Sequence, residues 1–95
     1  KTTLLHGARP AAAEAVRMKA PPLTLKPLQA DVCQVLDAKG LHLGNLKLIG
    51  AVWKFKAIGY GPAGELIPGG GPLTERHNTR FDSLDAAVVS AALLL

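Results

Sequence analysis

The stretch with the most side chains able to do chemistry runs from Gly69 to Arg80, Gly-Gly-Gly-Pro-Leu-Thr-Glu-Arg-His-Asn-Thr-Arg. Consecutive glycines let backbone N–H groups approach an anion closely, and Thr74, Arg76, His77, Asn78 and Arg80 add further donors. Gly70 and these five residues form a candidate site for an anionic ligand, a phosphate or a carboxylate, at the mouth of a sheet. The pattern is not a P-loop, since no Lys-Ser/Thr follows the glycines, and it lacks the glycine spacing of a dinucleotide fingerprint. A plainer reading competes: a solvated loop whose glycines and prolines shape turns.

Other chemistries have less behind them. Cys33, His77 and Asn78 are the residue types of a thiol hydrolase. Nothing brings them together in sequence, and Cys33 sits in an alternating run where a buried, inert thiol is the usual outcome. No catalytic residue is assigned, and a small enzyme with His77 as general base is kept only as an alternative without a substrate. His6, His42 and His77 have no ligand spacing, and one cysteine excludes a Cys-rich zinc site, so no metal or cofactor is expected. Lys47, Lys54 and Lys56, with Arg76 and Arg80, make a basic stripe that would suit nucleic acid. Alternation puts Lys54 and Lys56 opposite Trp53 and Phe55. A single-strand platform needs aromatics and cations on one face, so the stripe is read as an alternative site for duplex, bound by shape and charge.

The element that must position these groups is Leu46–Tyr60, which holds the only Trp, the only Tyr and one of the two Phe. From Ala51 to Ile58, Ala51, Trp53, Phe55 and Ala57 point one way and Val52, Lys54, Lys56 and Ile58 the other, the pattern of a half-buried strand. Before it, residues 31–37 and 41–49 read as strands joined by an Asp37–Gly40 turn, with Gly44-Asn45 marking a bulge and Gly50 a break. After it, Gly61–Gly64 is a hairpin turn and Glu65–Ile67 a short returning strand. Residues 21–27 read as an extended Pro-rich connector. Pro10 starts a short N-terminal helix that Pro21-Pro22 ends.

The C-terminal helix is expected from Asp82 or Ser83, with Asp82 as N-cap and Asp85 three positions on. Leu84, Val88, Ala91 or Ala92, and Leu95 form its apolar stripe. After Asp85 its only polar side chain is Ser90, so more than one side must be covered, by the N-terminal segment or by a second copy. The second option gives a homodimer through the 82–95 helix. Strands followed by Phe-Asp-Ser-Leu-Asp-Ala-Ala-Val-Val-Ser-Ala-Ala resemble the three-strand-plus-helix DNA-binding domains of the integrase N-terminal type. The resemblance spans Trp53 to Ala92 and implies topology only, because this chain lacks that family's density of Arg and aromatic residues on the strands.

Size and composition bound the rest. Ninety-five residues make one domain, large enough to bury roughly 60–65% of its unfolded surface around one core. With 48% hydrophobic and 19% charged residues the chain is neither disordered nor membrane-spanning by composition. No apolar run approaches the ~20 residues that cross a bilayer, so no membrane partner is expected. The net charge of +4 favours polyanions only slightly. One cysteine and no visible secretory segment fit a cytoplasmic setting. The expected fold is α+β, an antiparallel meander of about four strands packed on the C-terminal helix. The expected function is a small binding or interaction module, self-associating, with its ligand at the 69–80 loop.

Overall fold

The computed structural model describes residues 21–94, so the expected N-terminal helix lies outside the described residues. Five strands run in sequence as an antiparallel meander: β1 (Thr24–Gln29), β2 (Val32–Leu36), β3 (His42–Ile49), β4 (Val52–Tyr60) and β5 (Leu66–Pro68). A 3₁₀ turn (Thr74–Arg76) then leads to β6 (Arg80–Phe81), which pairs with β4 on the same edge as β5, and α1 (Ala86–Leu94) follows. The fold is α+β, with a larger sheet than the expected four strands. The addition is mainly β1, in place of a connector. Pro27 lies within it, and β1 is an edge strand, where a missing N–H is tolerated. The sheet exceeds a three-stranded plan by several strands.

Local chemistry sets the turns. Asp37 Oδ1 accepts the backbone N–H groups of Lys39 and Leu41, each at 2.8 Å, and Gly40 takes φ 85°. Gly50, at φ 64°, and Ala51 join β3 to β4. Glycine at the first central position with positive φ is the requirement of a type II′ hairpin. That two-residue turn fixes the register: Ile49 opposes Val52, Leu48 opposes Trp53, Lys47 opposes Lys54 and Leu46 opposes Phe55.

One face of the meander is the core. Cys33, Leu46 and Phe55 form one cross-strand row, all fully buried, and Val35 and Ala57 sit in the next. Burying a side chain such as Leu46 or Phe55 contributes about 1.5–3 kcal/mol. The expected alternation in β4 holds for Phe55 and Ala57, with Trp53 half-buried. Ile58 departs from it: only 4% of it is exposed although it points with the lysines. The loop returns against it there, and a Cβ on Gly71 would collide with the Ile58 carbonyl oxygen.

Two expectations for the helix are corrected. Its N-cap is Asp85, not Asp82. Asp85 Oδ1 accepts from the N–H groups of Ala87 (3.0 Å) and Val88 (3.3 Å), and the Asp85 carbonyl takes the first helical bond, from Val89 N. Phe81 is held in the core opposite Trp53, and the intervening residues cross from sheet to helix. The stripe is also rotated. Ala87, Val89, Ser90 and Leu93 are buried, whereas Leu84, Val88 and Ala92 are exposed. An almost wholly apolar helix gives no periodic contrast from which to choose a face. Ser90 decides it: its Oγ accepts the Leu23 N–H at 3.2 Å inside the core, pulling the one polar side chain inward.

Candidate functional site

The free edge of β4 shows what the 69–80 loop does. β6 pairs with Trp53 and Lys54, and β5 with Ile58, Gly59 and Tyr60. Between them Phe55 and Ala57 need partners. Phe55 N donates to Thr79 O and Asn78 N to Phe55 O, each at 2.7 Å, extending the β6 ladder. The Ala57 carbonyl accepts Gly69 N at 2.7 Å. The Ala57 N–H finds no backbone acceptor and donates instead to His77 Nδ1, at 3.0 Å. The imidazole fills the gap between two short strands.

The remaining loop groups are also engaged. Gly70 N donates to Ile67 O (3.2 Å), and the Thr74 hydroxyl to Gly69 O (2.5 Å). Asn78 sits at φ 74°, a left-handed conformation that asparagine tolerates, and its Oδ1 accepts the Lys56 ammonium at 2.6 Å. The Thr79 hydroxyl donates to Arg76 O (2.6 Å). Arg76 is exposed on the 3₁₀ turn, and Arg80 lies in β6 with its side chain exposed. Thus Gly70, Thr74, His77 and Asn78 are hydrogen-bonded within the fold, with Thr74 and Asn78 still exposed.

This geometry also constrains catalysis by His77. A backbone N–H can only donate, so Nδ1 is the acceptor and Nε2 carries the proton of the neutral ring. No basic ring nitrogen is left while that bond stands. Cys33 is on β2, separated from β4 by β3, and its Sγ donates to Gln34 O at 3.6 Å. Burial pushes its thiol above the ordinary value, with a backbone hydrogen bond at Lys26 acting the other way. No group of His, Cys, Asp and Glu with metal-binding geometry occurs among the described residues.

A different surface gathers charge without partners. On the face of the sheet away from the core, two cross-strand rows carry the cations. One runs Val32, Lys47, Lys54, Arg80, and the other Lys26, Gln34, Asn45, Lys56. Lys47 therefore stands directly opposite Lys54, and Lys54 directly opposite Arg80, with Cβ atoms about 4.5–5.5 Å apart at such positions. None of the six strands contains an Asp or Glu. Among the described residues neither Lys47, Lys54, Arg80 nor Lys26 has an ion-pair partner. Like charges placed opposite one another destabilise a sheet, and here nothing in the strands compensates.

The same face ends in a polar relay. His42 Nε2 lies 2.9 Å from Asn45 Oδ1, and His42 Nδ1 lies 3.2 Å from the Tyr60 hydroxyl. Tyr60 is 51% exposed. Reading Trp53 and Phe55 alone separated aromatics from cations, but the alternation that aligns Lys54 with Lys56 continues to Tyr60. Lys26 likewise reaches this face only because β1 is a strand. Comparison with protein-family models, curated proteins and solved structures returned no match.

Proposed function

We propose that this domain is a non-enzymatic binding module that holds the phosphate backbone of a nucleic acid against the outward face of its sheet. The observation that carries the reading is the row Lys47–Lys54–Arg80, three cations in register with no carboxylate on any strand. A fold keeps such a row at a cost in stability, and an anionic ligand removes that cost on binding. The charges are spread along two rows rather than converging on one point, which suits a polymer of regularly spaced charges better than a single phosphate. Lys56 is tied to Asn78 and contributes a fixed charge, while Lys26 and Arg76 extend the basic surface. Titration of the protein with a labelled oligonucleotide, single-stranded and duplex, at low and raised salt tests this. Binding at low salt that weakens steeply with added salt supports it. No binding of either form at low salt rejects it, and an acidic peptide of equal charge binding as tightly assigns the face to acidic proteins instead.

The helix supports a second reading, self-association. Val88 and Ala92 on α1, with Leu84 just before its N-cap, make an exposed uncharged patch, the surface a second copy could cover. Light scattering at micromolar concentration gives a dimer mass if so, and the monomer mass alone removes it.

A further inference from the structure

We propose that Tyr60 is a base-stacking platform, so that the nucleic acid bound on the sheet face is single-stranded; this rests on the polyanion reading above. Four observations converge on the ring. It points to the same side of β4 as Lys54 and Lys56, at even spacing, beyond Ile58, which the returning loop covers. It is about half exposed, unusual for the one tyrosine of a small domain whose other large aromatics are drawn into or against the core. Its chain neighbours Gly59 and Gly61 carry no side chains, although Gly71 packs against Gly59 and the Glu65 carboxylate lies against Gly61, and the strand residue opposite is Leu66, itself exposed. Lastly, its hydroxyl is held. With His42 Nε2 donating to Asn45 Oδ1, Nδ1 is left to accept the tyrosine proton, and the relay fixes the ring at its tip while about half of the residue stays exposed.

The relay also joins the ring to the charges. Asn45, which anchors His42, stands directly opposite Lys56 in the row that begins at Lys26. A strand whose phosphates follow the cations would bring a base over Tyr60 at the end of the sheet. The carboxylate in the adjoining turn, Glu65, lies against Gly61 and is held there, its Oε1 accepting the Ala63 N–H at 3.0 Å. Stacking on an aromatic side chain tolerates any base, because every base has a π-face, but it requires a base that is not already paired. A duplex exposes such a face only at its ends. Tyr60 therefore contacts the ligand, and His42 and Asn45 position Tyr60.

The test compares three probes of equal length at low salt by fluorescence anisotropy: a labelled single strand, an abasic strand with the same phosphates, and a duplex. Wild-type protein is expected to bind the base-bearing strand roughly tenfold tighter than the abasic one. Tyr60→Phe, which keeps the ring and loses the tether to His42, retains part of that difference, whereas Tyr60→Ala abolishes it. Should Tyr60→Ala fold poorly, the base-versus-abasic ratio on the wild-type chain still decides. Equal binding of base-bearing and abasic strands, or duplex bound tighter than single strand, overturns the stacking platform while the polyanion reading stands. If none of the three probes binds, the polyanion reading itself fails and the platform with it.

Discussion

In the loop between Gly69 and Arg80 the polar groups meet partners, whereas on the outward sheet face the cations meet one another. The loop looks like a site because it concentrates His, Asn, Thr and glycine. Yet the Gly69 N–H, the His77 ring, the Asn78 N–H and the Thr79 carbonyl complete the β4 edge, which would otherwise leave backbone donors and acceptors unpaired, and the Asn78 side chain accepts the Lys56 ammonium. On the outward face Lys56, Asn45, His42 and Tyr60 are hydrogen-bonded, but Lys47, Lys54 and Arg80 stand in one row without an ion-pair partner among the described residues. What marks a binding surface is interactions that the fold itself does not use. The density of polar residues is a weaker guide.

That contrast can be broken by substitution in either region. The largest effect is expected from His77→Ala, which leaves the Ala57 N–H without its acceptor. It should lower stability by about 1–3 kcal/mol in urea denaturation while the affinity of the folded protein for an oligonucleotide stays unchanged. A His77→Ala protein of undiminished stability would mean that the loop is not closing the edge. Lys54→Gln, at the centre of the cation row, should act in the opposite sense. Relief of repulsion on both sides raises stability by about 0.2–1 kcal/mol, and the same change weakens polyanion binding. A loss of stability in Lys54→Gln would show that the row is compensated in a way the strands do not reveal.

A smaller effect separates the buried face from both. Burial holds the Cys33 thiol protonated in the folded chain, so the folded state keeps a proton that the unfolded chain releases near its ordinary value of 9.0. The contribution is intact below that pH and is lost as pH rises from there through the higher value of the folded chain. Comparing wild type with Cys33→Ala on either side of pH 9.0 should show the steeper alkaline decline in the wild type. Equal slopes would place the thiol in contact with solvent.

Much of the scaffold was legible because local chemistry and tertiary structure agree. The alternation through Phe55 and Ala57, the Asp37–Gly40 turn and the Gly61–Gly64 turn all form as their residues suggest. β1 was obscured by Pro27, whose tolerance depends on lying at a sheet edge, a fact of topology. The helix face was obscured because every side of α1 is apolar, so the hydrogen bond from Leu23 N to Ser90, far apart in the chain, had to choose it. His77 illustrates the limit most clearly: nothing near it in sequence says that Ala57 lacks an acceptor. The opposed cations were closer to hand. Once Gly50-Ala51 is taken as a two-residue hairpin turn, counting outward from Ile49 and Val52 sets Lys47 against Lys54.

The central claim is that this row is kept for an anionic polymer, and the salt dependence of oligonucleotide binding tests it most directly. Plotting log affinity against log salt for wild type and for a Lys47→Gln, Lys54→Gln, Arg80→Gln variant isolates the three charges. Each phosphate contact with a single strand contributes a slope of about −0.7. The account predicts a wild-type slope at least as steep as about −2 that flattens by about that amount in the variant. A slope identical in the two proteins, with equal affinity, would contradict it.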